Sequence, residues 1–149
     1  MRIITAFMVI FLLTANIARC EEKISFEKIR EYLDRPYVGM NYHDALRADR
    51  PFALVFADPK DIFSILRFAP AGEMLVKEFD GKYNAAILSV KDDYNKRLAE
   101  AFHAKRLPAL YLIDTKTQTY MAVNSRDYTP NKLRIILNDY LSECSSEED

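Results

Sequence analysis

The chain has 149 residues, half of them hydrophobic, with 21 basic and 22 acidic side chains and a formal net charge of −1. That length suits one domain with a substantial core. The near balance of charge leaves no basic face for nucleic acid, and with only Gly39, Gly72 and Gly81 a glycine-rich phosphate-cradling loop is excluded.

The first twenty residues read as a cleaved secretory leader. Arg2 gives a positive start, Ile3 to Ala15 is apolar except for Thr5 and Thr14, and Ala18-Arg19-Cys20 offers a small-residue cleavage site before Glu21. At ~1.5 Å per residue the apolar run is too short for a ~30 Å hydrocarbon core. It also has no polar face, which excludes an amphipathic first helix. A lipid anchor at Cys20 is disfavoured because Arg19 stands where a lipoprotein leader wants a small residue. The expectation is a secreted chain (periplasmic in a bacterium), without a transmembrane segment after cleavage. If cleavage falls after Cys20, the one remaining thiol is Cys144 and no internal disulfide can form.

Glu21 to Leu33 has Phe26, Ile29, Tyr32 and Leu33 on one helical face, and Arg35-Pro36 ends that helix. Tyr37 to Met40 reads as a short edge strand. Asn41 caps a short helix running to Ala48, closed by Arg50-Pro51. Phe52 to Ala57 is wholly apolar, the pattern of a strand buried on both faces. Asp58 is then expected to cap a helix, with Pro59 in its first position and Asp61 on its positive end. That helix should run to about Phe79 with Ile62, Ile65, Leu66 and Ala69 inward and a bend at Pro70.

Asn84 to Val90 is the next strand. Asp92 or Asp93 caps a helix whose stripe is Tyr94, Leu98, Ala101 and Phe102. Ala109 to Ile113 and Thr119 to Val123 are two further strands about a turn at Asp114 to Thr117. Thr129-Pro130 opens a last helix with Leu133, Ile136, Leu137, Tyr140 and Leu141 on one face, and Ser145 to Asp149 reads as an acidic, disordered tail. The order gives an α/β fold, a central mixed sheet flanked by helices on both faces. Its parts are a leader (1–20), an extra N-terminal helix (21–36), the domain proper (37–141) and a tail (142–149).

Between Leu54 and Pro70 the chain reads LVFADPKDIFSILRFAP, and Leu107-Pro108 precedes the apolar run ALYLI. In these segments it resembles the thioredoxin-like superfamily, over roughly residues 37 to 141. The family pattern is an apolar strand containing an acid, a turn ending in W-C-G-P-C, and a helix bent at proline. Laid over it without gaps, the two cysteines fall on Ile62 and Ile65, the Gly-Pro between them on Phe63-Ser64, the tryptophan on Asp61 and the buried acid on Phe56. Leu107-Pro108 matches the family's cis-proline, which lies close to the cysteine motif in space. Disulfide exchange needs an activated thiolate and a resolving thiol, and no cysteine lies between residues 21 and 143. The resemblance therefore implies a redox-inactive member.

The function expected is capture of a protein or peptide, in a chaperone-like module without enzymatic activity. Its rim is expected at Asp58, Asp61, Ile62, Phe63, Leu107 and Pro108, with Ile65 in the core and Ile62 and Phe63 as an exposed apolar patch. No cofactor is expected, and His43 and His103 stand too far apart in sequence, without Cys or paired acids, for a metal site. Tyr120, Tyr128 and Tyr140 read as packing residues. The enzymatic alternative is a thiol oxidoreductase acting through Cys144, or through Cys20 with Cys144. Against it, Glu143, Glu147 and Glu148 disfavour a thiolate at Cys144, which reads as a mobile thiol. A structural subunit of a larger assembly is a third possibility.

Overall fold

The structure, a computed structural model, describes residues 37–146. The expected leader, the N-terminal helix over 21–36 and residues 147–149 lie outside the described residues.

Five strands and four helices follow in order: β1 (Tyr37–Gly39), α1 (Tyr42–Leu46), β2 (Phe52–Ala57), α2 (Ile62–Glu78), β3 (Asn84–Ser89), α3 (Asp93–Ala101), β4 (Ala109–Asp114), β5 (Thr119–Val123) and α4 (Pro130–Ser146), with a 3-10 turn at Ser125–Asp127. The sheet order is β1-β3-β2-β4-β5. β2 and β3 run parallel, with Leu54 opposite Ala86. The β1–β3, β2–β4 and β4–β5 pairs are antiparallel, with Leu54 opposite Tyr111 and Leu112 opposite Met121. This is the mixed sheet with helices on both faces that the element order implied.

The all-apolar runs occupy the centre because both faces of the sheet are covered. Ala53, Val55, Leu110 and Leu112 point to the side of α2 and α4, where Phe68, Leu75, Leu133 and Leu137 meet them. Phe52, Leu54, Phe56, Leu88 and Ile113 point to the other side, against Ala45 of α1 and Ala99 of α3. Each fully buried large side chain there contributes about 1.5–3 kcal/mol relative to exposure. The buried Tyr83 hydroxyl donates to the Leu137 carbonyl at 2.7 Å, and Arg134 of α4 grips both carboxylate oxygens of Glu78 in α2. The second link ties α2 to α4, and the first ties the segment after α2 to α4.

Four local expectations are corrected. The cap of α2 is Asp61, whose carboxylate accepts from the Ser64 amide at 3.0 Å and the Ser64 hydroxyl at 2.6 Å. Asp58 closes the preceding turn instead, accepting from the Lys60 amide at 2.9 Å. Ile62 and Leu66 are not inward: they are 36% and 39% exposed, whereas Phe68, Ala69, Ala71 and Leu75 are buried. Pro70 sits within α2 without ending it.

On α3 the buried stripe is turned by one residue from the one expected. Tyr94 and Ala101 are exposed, and Asn95 and Ala99 are buried, with Leu98 and Phe102 packed beside them. A polar residue takes the inner place because Asn95 Nδ2 donates to the Ser89 carbonyl at 3.1 Å. Finally, α4 continues through Ser146, so Ser145 is helical. Cys144 is accordingly no mobile thiol. It is half-buried against the core, close to Tyr83 and Tyr140, whose hydroxyls burial and the neighbouring Cys144 push up from the usual tyrosine range.

Candidate functional site

A cleft of about 590 Å³ opens between the N-terminal half of α2, the loop before β4 and the start of α4. Its walls are Ser64, Arg67, Phe68 and Pro70 on one side and Arg106, Leu107 and Pro108 on the other, with Ser125, Tyr128, Thr129 and Pro130 closing the end. Three elements far apart in sequence meet because β4 runs antiparallel beside β2. The β2–α2 turn and the segment entering β4 therefore lie at one end of the sheet.

The Leu107-Pro108 peptide bond is cis. Tyr128 holds this corner: its hydroxyl accepts from the Leu110 amide at 2.9 Å and donates to the Pro108 carbonyl at 3.2 Å. Its ring meets Phe68 edge-on at 5.1 Å between centroids. Burial pushes the Tyr128 hydroxyl up from its ordinary range. The expectation for Tyr128 covered only packing; it packs, and it also lines the cleft. Leu107 lines the cleft as well, and its backbone N–H and C=O take part in no hydrogen bond among the described residues. A half-buried peptide group left over by the fold is a place where an extended chain can pair.

Of the six residues expected at a rim, Leu107 and Pro108 line the cleft. Ile62 and Phe63 stand on the adjoining first turn of α2, 36% and 83% exposed, and with Leu66 they form an apolar patch. Phe63 lies one helical turn from Arg67, so the patch continues into the cleft. Asp61 and Asp58 are occupied locally, as cap and turn. The hydrogen bonds from Ser64 hold the Asp61 carboxyl below its ordinary range. Phe56, at the position matching the family's buried acid, is fully buried, with the rings of Phe102 and Tyr111 at 5.7 and 5.9 Å. No charge is available at that point of β2.

Sequence reasoning missed Ser64, Arg67, Phe68, Pro70, Arg106, Ser125, Tyr128, Thr129 and Pro130 as cleft residues. Of the two arginines only Arg106 carried a signal, as the residue just before Leu107-Pro108. His43 pairs with Tyr94, Nε2 to hydroxyl at 3.0 Å. Among the described residues no group of three His, Cys, Asp or Glu side chains is placed to hold a metal, and no helix is long and apolar enough to cross a membrane.

The model of the thioredoxin-like domain family matches residues 18–139. No curated protein matches the chain.

Proposed function

The chain belongs to the thioredoxin-like family, and we propose that it is a protein- or peptide-binding member without thiol-disulfide activity, working outside the cytoplasm. The observation that carries the reading is the cleft itself: a backbone peptide group at Leu107 with no partner among the described residues, bordered by an exposed apolar patch. An extended segment can add main-chain hydrogen bonds at Leu107 and bury apolar side chains on Ile62, Phe63 and Leu66.

The case against redox chemistry is positional. Ile62 and Ile65 stand at the start of α2, where disulfide exchange would require two thiols, and isoleucine supplies neither nucleophile nor leaving group. Cys144 does not replace them. It lies fourteen residues along α4 from Pro130 at the cleft, about 21 Å at ~1.5 Å per residue. The apolar leader, with Arg2 ahead of it and small residues after it, supports export.

The test uses the purified protein and its Cys144→Ser variant. Both are assayed for reduction of insulin with dithiothreitol and for binding of a permanently unfolded, thiol-blocked polypeptide by fluorescence anisotropy. The proposal expects no insulin turnover above blank in either protein, and saturable binding in both. Turnover lost in Cys144→Ser would establish a monothiol enzyme and refute the reading.

A further inference from the structure

We propose that the cleft selects acidic extended segments, with Arg67 and Arg106 as its two carboxylate-binding groups. The proposal rests on the peptide-binding reading and narrows the class of ligand. Among the described residues no acidic side chain lines the cleft, and its charged walls are these two arginines. Both are exposed.

Lys77 of α2 and Lys132 and Arg134 of α4 are already engaged: Lys77 with Glu73, Arg134 with Glu78, and Lys132 with Asp127. Arg67 and Arg106, by contrast, form no ion pair or side-chain hydrogen bond among the described residues. Arg67 acts on Asp61 only through its field, as a minor contribution beside the Ser64 hydrogen bonds. A guanidinium presents a planar fork of donors that fits a carboxylate with two parallel bonds, which makes arginine a selective reader of acids.

The end of the cleft adds to the same sign. Thr129 and Pro130 open a 17-residue helix with no acidic residue in its first turn, so the positive end of its dipole is not neutralised there. Asp127 lies just outside, and its carboxylate is taken by Lys132 at 3.4 Å. Two guanidiniums unengaged among the described residues and a helix N-terminus thus border one cleft, beside a Leu107 peptide group able to hold an extended backbone. Phe63, one turn from Arg67, offers an apolar contact at its mouth.

The probe is a fluorescein-labelled octapeptide alternating valine and glutamate, compared by anisotropy with its valine–glutamine counterpart at low and physiological salt. The glutamate peptide should bind about tenfold tighter at low salt, equivalent to about 1.4 kcal/mol. The difference should shrink as salt rises and vanish in the Arg67→Gln/Arg106→Gln double variant. Both substitutions fall on exposed positions, and an unchanged melting curve verifies the fold. Equal affinities for the two peptides would overturn the acid preference and leave peptide binding standing. A preference that survives in the double variant would overturn the assignment to these arginines. Binding of neither peptide would overturn the acid-selective cleft together with the reading it rests on.

Discussion

Phe63→Asp separates a binding residue from a core residue at the start of α2. Phe63 is 83% exposed, so folding covers only about a sixth of a side chain of ~200 Å², roughly 35 Å². At ~25 cal/mol/Å² its loss costs about 0.9 kcal/mol. Two gains oppose this. An acid in the first turn of α2, which has none of its own, contributes about 0.3–1 kcal/mol against the helix dipole. It also pairs with Arg67 four residues on, for about 0.3–0.5 kcal/mol. Stability should therefore change by less than about 0.5 kcal/mol, a shift in Tm of roughly 2 °C. Binding should respond quite differently. If a partner covers half of the exposed ring, about 80 Å², the loss is ~2 kcal/mol, or about thirtyfold in affinity. Thermal melts followed by circular dichroism and anisotropy titrations with the unfolded polypeptide measure the two quantities. A fall in Tm above about 6 °C, or unchanged affinity at unchanged Tm, would refute the reasoning.

Phe56→Ala empties the centre of the face shared with Phe102 and Tyr111, so urea unfolding should show a loss of about 3–5 kcal/mol. Gln118 holds φ +58° in the β4–β5 turn. Since the left-handed conformation costs an L-residue roughly 1–2 kcal/mol and glycine's extra chain freedom returns about half of that, Gln118→Gly should raise Tm by a few degrees, and a lower Tm would contradict the assignment. Tyr128→Phe leaves the Leu110 amide and the Pro108 carbonyl without the hydroxyl that joins them, a loss of about 1–3 kcal/mol in denaturant titrations. The Glu78 carboxyl is held below its usual range chiefly by its hydrogen bonds from Arg134. The stability this brings is present above the unfolded carboxylate pKa and lost as pH falls through the lowered folded value. The Tm gap between the protein and Arg134→Gln should accordingly be open at neutral pH and close in acid, as melts across that range will show.

The fold was legible where residue type and position agreed. The runs Phe52 to Ala57 and Ala109 to Ile113 are apolar on both faces and became the central strands, and Leu133, Leu137 and Tyr140 gave the buried side of α4 directly. Errors arose where two local solutions competed. Asp58 and Asp61 can both cap, and the two hydrogen bonds that Ser64 donates, from its amide and its hydroxyl, give the position to Asp61. On α3, hydropathy favours Tyr94 as the inner residue, yet Asn95 is buried because Ser89 satisfies its amide. The cleft was legible only at Leu107-Pro108. Arg67, Arg106 and Tyr128 converge through the pairing of β2 with β4, and exposed arginines and a tyrosine scattered over sixty residues carry no joint pattern in a sequence. Cys144 misled in the same way: its acidic neighbours marked a tail, whereas the packing of α4 draws it against the core.

The central claim is that the cleft beside Leu107-Pro108 receives an extended chain, and backbone chemical-shift mapping tests it most directly. The ¹⁵N-labelled protein is titrated with the thiol-blocked unfolded polypeptide under reducing conditions. The account predicts that the largest saturable shifts fall on the amides of Phe63, Ser64, Arg67, Arg106, Leu107 and Tyr128. Shifts confined to the opposite face of the sheet, around Tyr94 and Tyr120, or no shifts at saturating polypeptide, would contradict it.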